Sequence, residues 1–212
     1  MQGIIGKKVG MTSIFDEQGR QVPVTVLECG PCTVLQHKTL ARDGYEAVQL
    51  AFEDCREQRM NKPEFGVFKK AGLAPKRRRF EMKLEAGDSP KPGDLLTVSM
   101  FEKVAFVDVS AYSKGKGFQG VVRRHGMRGG PITHGGHSKR RVGSIGCREL
   151  PGRVHKNKRM PGQMGNTRIT QQNLQIVKVM PEDNVLLVRG AVPGSAGGIV
   201  LVRKSVKKGV KE

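Results

Sequence analysis

From Ser113 to Arg168 the chain runs for 56 residues with fourteen Lys or Arg and one acid, Glu149. That stretch carries +13 of a formal net charge of +19, while the other 156 residues hold 24 basic and 18 acidic groups. It also contains thirteen glycines and only eight Val, Ile, Leu or Phe. Such a composition cannot bury enough apolar surface to offset the entropy of ordering its backbone, so the stretch is not expected to fold alone. Yet it is no monotonous tail, because Phe118, Val121, Ile132, Val142, Ile145, Leu150, Val154 and Met164 punctuate it. Charge of one sign at this density repels itself unless counter-charge is supplied. The expectation is an arm, held out by a globular body, that takes its shape on a large polyanion. The plainer alternative is a solvated basic loop.

With the arm set aside, about 150 of the 212 residues remain, enough for a core. A pI near 10.2 points first to nucleic acid and second to an anionic membrane surface. The membrane reading fares badly. No apolar run approaches the ~18 residues of a spanning helix, and no basic amphipathic helix of useful length is present. The start, MQGIIGKKVGMTSIF, lacks a signal-peptide core, so an intracellular chain with reduced cysteines at 29, 32, 55 and 147 is expected. There is no Trp, and aromatics make up only 5%. Contacts to phosphate, sugar and shape are therefore expected to outweigh stacking of bases on rings.

Along the body, residues 2–9 read as a first strand with Lys7 and Lys8 at its exposed end. Ser13–Phe15, the turn Asp16–Gly19 and Gln21–Leu27 read as a hairpin, with Val22, Val24 and Val26 in period-2 alternation. Thr33–Gln36 and Tyr45–Phe52 continue the strands across a turn at Asp43-Gly44. From Asp54 to Leu84 charge runs throughout, and Pro63, Gly66, Gly72 and Pro75 interrupt it, so this part reads as an irregular insertion or a small subdomain on the β body. Its Lys76-Arg77-Arg78-Arg79 run reads equally as a phosphate patch or a solvated face. Leu95–Met100, Lys103–Val109, Thr170–Met180, Asn184–Arg189 and Gly198–Arg203 are further strands, followed by a basic tail over 204–212. Within the arm, Phe118, Val121 and Val122 fall on one face of a short helix over Gly117–His125, limited to one or two turns by its glycines. Many short strands with no long helical period predict a mainly β fold: an all-β barrel or sandwich formed by 1–112 and 169–212, with the arm at 113–168.

Several motifs suggest chemistry that their setting does not support. Cys29-Gly30-Pro31-Cys32 has the spelling of a thioredoxin-type redox pair, which needs a helix N-terminus to lower a thiol pKa. Here β-branched residues follow, and Gly-Pro reads as a turn between strands. Cys29 and Cys32 with His134 and His137 have zinc-like pair spacings, but about a hundred residues separate the pairs. Glu149 stands alone in the arm, so two-metal or acid/base hydrolysis has no carboxylate cluster. No phosphate-binding loop motif occurs, and Gly143-Ser144-Ile145-Gly146 lacks the setting of a nucleophile elbow. No enzyme activity, metal, cofactor or small-molecule substrate is expected.

The cations make the stronger pattern. Lys114, Lys116, Arg123, Arg124, Arg128, Lys139, Arg140, Arg141, Arg148, Arg153, Lys156, Lys158, Arg159 and Arg168 recur every few residues, most with glycine nearby. Arg adds a fork that grips phosphate with two bonds, and glycine lets backbone approach a polyanion closely. These residues, with Lys7, Lys8 and His134, are the candidate RNA contacts. The leading rival is a stand-alone RNA chaperone or chromosomal DNA-binding protein. DNA readers usually present a recognition helix or ribbon, and none of adequate length is visible.

In the same residues the chain resembles a known family, ribosomal protein three of the large subunit in its short bacterial type. The likeness runs through GIIGKKVGMTSIF, DGYEAVQLAF and NKPEFGVFKKAG. It is densest in SKGKGFQGVVRRHGMRGGPITHGGHSKRRVGSIG, and continues through PGRVHKNKRMPGQMGNTRIT to LLVRGAVPG. It implies a closed β-barrel like those of translation factors, and an extension through large-subunit ribosomal RNA toward the peptidyl-transferase region. It also implies binding near the 3′ end of that RNA early in subunit assembly, beside neighbouring ribosomal proteins in a cytoplasmic ribosome. Carried over by position, the tip lies near Gly143–Arg153, with Arg148 and Arg153 closest to the catalytic RNA. Some bacterial members have a glutamine, methylated in certain lineages, after the Gly-Ser-Ile-Gly run. Here Cys147 stands there, so that modification cannot occur at this site.

Overall fold

The alternating valines do form one arm of a hairpin. In a computed structural model describing residues 2–84, 87–88 and 90–208, strand β1 (Gly3–Phe15) pairs antiparallel with β2 (Gln21–Cys29). The two segments read separately at 2–9 and 13–15 are one strand, carried through a register shift between Lys8 and Gly10. Asp16 fastens the turn: its Oδ1 accepts the N–H groups of Gln18 and Arg20 at 3.0 and 2.8 Å. The hydrogen bond from the Arg20 backbone is the main reason its carboxyl sits below the usual range.

After the Gly30-Pro31 turn come β3 (Cys32–Lys38), a single helical turn α1 (Leu40–Asp43) and β4 (Ala47–Asp54). The insertion is ordered, which corrects the irregular reading and leaves that of a small subdomain on the β body. It contains a ten-residue helix, α2 (Lys62–Ala71), and a strand, β5 (Lys76–Met82), paired to β4. Pro63 and Gly72, taken as breakers, are the helix's punctuation. Pro63 lies in the first turn, where a missing N–H costs nothing. Gly72 closes the other end at φ 67°, and the Leu73 N–H reaches back to the Phe68 carbonyl at 3.1 Å. β6 is only Leu95–Leu96, and a 3-10 turn takes Val98–Phe101, where a longer strand was expected.

The remaining strands are β7 (Phe106–Tyr112), the short β8 (Phe118–Gln119), then helix α3 (Val121–His125), β9 (Gly162–Gln163), β10 (Arg168–Met180), β11 (Val185–Arg189) and β12 (Ile199–Lys204). Six of the strands close an antiparallel barrel in the order β1-β12-β7-β10-β11-β2. β3 and β4 do not join it, contrary to the sequence reading. They lie in a second sheet ordered β5-β4-β3-β6.

Strand alternation shows how the sheets stack. Ile4 and Ile5 face opposite ways by the two-residue period, yet both are fully buried, so β1 is covered on both sides. On β3, Val34 belongs to the main core with Ile4, Leu27 and Val109, whereas its neighbour Leu35 packs with Ala51 and Phe68. The second sheet therefore gives one face to the core and the other to α2. Phe68 is the only fully buried residue of that helix, and truncating it to Ala should cost about 3–5 kcal/mol.

The chain divides into two compact units, one of Met1–Tyr112 with Arg168–Glu212 and one of Ser113–Thr167. The excursion leaves the barrel after Tyr112 and returns at Arg168, and these two residues are paired on β7 and β10.

Candidate nucleic-acid interface

The Ser113–Thr167 unit is built on backbone, because it has almost nothing else. Val121 is its one buried residue. Its two limbs run antiparallel, with Ser113 N–H to Thr167 O at 2.9 Å, Lys116 N–H to Met164 O at 2.9 Å and Met164 N–H to Gly117 O at 3.0 Å. β8 and β9 continue that ribbon. A Cβ on Gly165 would stand 2.1 Å from the Lys114 carbonyl oxygen, so the limbs meet at a distance only glycine permits.

α3 follows, ended by Gly126 at φ 68°. The expected face of Phe118, Val121 and Val122 does not form. Phe118 lies in β8 and is 76% exposed, and Val121 alone is buried. Arg124, offered by the sequence as an RNA contact, is half-buried and donates from Nη1 to the Met160 carbonyl at 2.7 Å. His125 Nε2 lies 3.1 Å from the same oxygen. A Cβ on Gly162 would meet Arg124 Nη1 at 2.6 Å, so this guanidinium braces the unit from inside.

The other cations of the unit face solvent: Lys114, Lys116, Arg123, Arg128, Lys139, Arg140, Arg141, Arg148, Arg153, Lys156, Lys158 and Arg159. Arg123 Nη1 reaches Gln119 Oε1 at 3.4 Å. His134 is exposed and holds φ 61°. Among the described residues, none of these cations forms an ion pair with an acid. Arg168, exposed at the start of β10, is part of the barrel unit.

On the barrel unit the pattern reverses. Lys76 pairs with Asp54 at 2.6 Å, Arg77 with Glu53 at 3.6 Å and Arg79 with Glu64 at 2.5 Å, so most of the Lys76–Arg79 run is answered by the protein's own carboxylates. Lys38 meets Glu81 at 2.5 Å; that bond, followed by one from Tyr45, holds the Glu81 carboxyl low and the Lys38 ammonium high. Lys7 lies 3.4 Å from Glu53. Lys8 corrects the expectation of an exposed end. It is only 8% exposed and its ammonium donates to the carbonyls of Val192 at 2.7 Å and Gly194 at 3.4 Å. Two-residue alternation puts Lys8 on the face of buried Ile4 and Gly6, ahead of the register shift, so its charge rather than its position suggested an exposed end.

Cys29 ends β2 and Cys32 begins β3, as a strand–turn–strand reading requires. Both are buried free thiols. Desolvation pushes Cys32 up to about 12 and Cys29 higher still, the opposite of what a redox nucleophile needs. Cys147 is exposed, and the N–H groups of Glu149, then Leu150 and Arg148, hold its thiol below the usual value. No group of three or more His, Cys, Asp or Glu among the described residues is arranged to hold a metal. No described helix is long and apolar enough to cross a membrane.

Residues 83–184 match the family model described as "Ribosomal protein L3". The chain is 48% identical over 208 residues to "Large ribosomal subunit protein uL3" of Brachyspira pilosicoli, covering 98% of this chain and 95% of that one. It is 52% identical over 210 residues to the protein of the same name from Corynebacterium jeikeium, covering 99% and 96%.

Proposed function

The chain belongs to the ribosomal protein L3 family, and from that premise we propose that its Ser113–Arg168 excursion binds large-subunit ribosomal RNA directly. It is a structural constituent of the large ribosomal subunit and not an enzyme. One contrast carries the proposal. Most of the basic run of the barrel unit is matched by Asp54, Glu53 and Glu64, whereas the exposed cations of Ser113–Thr167 meet no acid among the described residues. Counter-charge for those groups has to come from a partner, and a polyphosphate backbone supplies it at the required density.

The contacts are Lys114, Lys116, Arg123, Arg128, His134, Lys139, Arg140, Arg141, Arg148, Arg153, Lys156, Lys158 and Arg159, with Arg168 at the root. Arg124 supports them from within, and Lys8 is held inside the barrel unit. The RNA partner is the 3′-terminal part of the large-subunit molecule, bound early in assembly. The Gly143–Arg153 region points toward the peptidyl-transferase centre, and neighbouring ribosomal proteins share the barrel's surroundings. A unit with one buried residue owes its shape to glycine-permitted backbone contacts and to the nucleic acid around it, which suits a segment threaded between RNA helices.

The test is binding of the full chain to the 3′-terminal ribosomal RNA segment and to duplex DNA of equal length at matched salt. The RNA should bind more tightly, and in a fractionated lysate the chain should travel with large subunits. Equal affinity for the two, with no chain in the large-subunit fractions, would favour the stand-alone nucleic-acid-binding protein.

A further inference from the structure

Within the Ser113–Thr167 unit, residues 127–130 and 138–143 face each other across a cleft of about 770 Å³. Its apolar lining is Val121, Met127, Val142 and Pro161, of which Val121 is buried and Met127 and Val142 are half-buried. Arg128, Arg140 and Arg141 also line it and are exposed. No lining residue is acidic.

The cleft is held by main chain. The Gly130 N–H lies 3.2 Å from both the Ser138 and the Lys139 carbonyl oxygens. A Cβ on Gly129 would sit 2.2 Å from Lys139 O, and one on Gly130 would sit 2.8 Å from Ser138 O. Two consecutive glycines therefore let the facing segments touch backbone to backbone. The recess beside that contact holds Val121, the unit's one buried residue.

We propose that this cleft holds one unpaired nucleotide of the bound RNA, with its base against Val121, Met127 and Val142 and its phosphate on the arginines. The inference rests on the RNA-binding reading above and adds a base-recognition element to it. A free phosphate would use the arginines and leave the apolar lining wet. An apolar peptide would fill the lining and leave three guanidinium groups without counter-charge. A nucleotide satisfies both halves at once. An unstacked base is flat and largely apolar on its faces, it stacks on guanidinium planes, and a thioether packs well against its ring. Its phosphate takes the bidentate arginine fork. Neither Phe118 nor any of the unit's histidines, His125, His134, His137 and His155, lines the cleft, so this base would be held without ring stacking.

The experiment uses the full chain bound to large-subunit ribosomal RNA, probed with dimethyl sulfate and carbodiimide, which modify unpaired bases. Val142→Trp fills the cleft and leaves every cation in place. In the wild-type complex an unpaired base should be protected. In V142W that base should regain reactivity, and affinity should fall about tenfold, or 1.4 kcal/mol, at an unchanged salt slope. If V142W does not fold, Met127→Trp on the other segment gives the same readout. Identical protection and affinity in wild type and variant would overturn the nucleotide site while leaving the cationic interface standing. Absence of salt-sensitive RNA binding by the wild-type chain would overturn both.

Discussion

Replacing Arg140 and Arg141 together by glutamine removes two exposed cations that no carboxylate among the described residues answers. Each phosphate neutralised contributes roughly −0.7 on a single strand and −0.9 on a duplex to the log–log dependence of affinity on salt. The double variant should therefore flatten that slope by about 1.4 to 1.8. Over a fourfold rise in salt, from roughly 50 to 200 mM, its affinity should then fall about tenfold less than that of the wild type. Filter binding or fluorescence anisotropy with the 3′-terminal ribosomal RNA segment over a salt series measures this directly. The structure supplies a matched control of the same charge change. Lys76→Gln with Arg77→Gln also removes two cations, but these are engaged by Asp54 at 2.6 Å and Glu53 at 3.6 Å. The control should leave the slope nearly as it was. If both pairs flatten it equally, net charge alone governs binding, and the division between paired and unpaired cations explains nothing. An unchanged slope in R140Q/R141Q would remove that pair from the interface.

Other outcomes follow from the same structure. In the free protein, limited proteolysis should cut within Ser113–Thr167, which has one buried residue, and RNA should suppress those cuts; equal protection in both states would contradict the RNA-moulded reading. Lys8→Met leaves the Val192 and Gly194 carbonyls without their buried donor, so stability should drop by about 1–3 kcal/mol in chemical denaturation with no change in RNA salt slope. A disulfide-based thiol reagent should label Cys147 first, and Cys29 and Cys32 only on unfolding. The same two buried thiols make stability fall with alkali. Unfolded, they lose protons near 9, while the folded chain keeps the Cys32 proton to about 12, so stability complete below pH 9 should decline steadily as pH climbs toward 12.

The parts of the fold that alternate cleanly were legible in the sequence. Val22, Val24 and Val26 announced a hairpin, and GIVLVR announced the strand that closes the barrel. What escaped notice did so for physical reasons. KRRRFEM is a strand at the edge of its sheet, where charged side chains are tolerated, and only Phe80 and Met82 turn toward the core. The helix at Lys62–Ala71 was hidden because proline and glycine end a helix as readily as they break one, and only position tells which. The separation of β3 and β4 from the barrel depends on pairings between distant segments, which local periodicity does not encode. At the candidate interface, charge density alone located the excursion. It did not separate Arg124, which turns onto the Met160 carbonyl, from its exposed neighbour Arg123. The glycine doublet at 129–130 was the available sign of a close crossing, but its partner strand of residues was not readable from spacing.

The pairing of Tyr112 with Arg168 has an evolutionary and engineering corollary. An excursion that begins and ends on one rung of a ladder is, topologically, an oversized hairpin loop, and the six-stranded closure does not need the chain to pass through it. The fifty-five intervening residues can lengthen, shorten or be opened to create new termini while the host hydrogen-bond register stays put. A circular permutant starting inside the graft, or one with a two-residue turn in its place, should still assemble the parent scaffold.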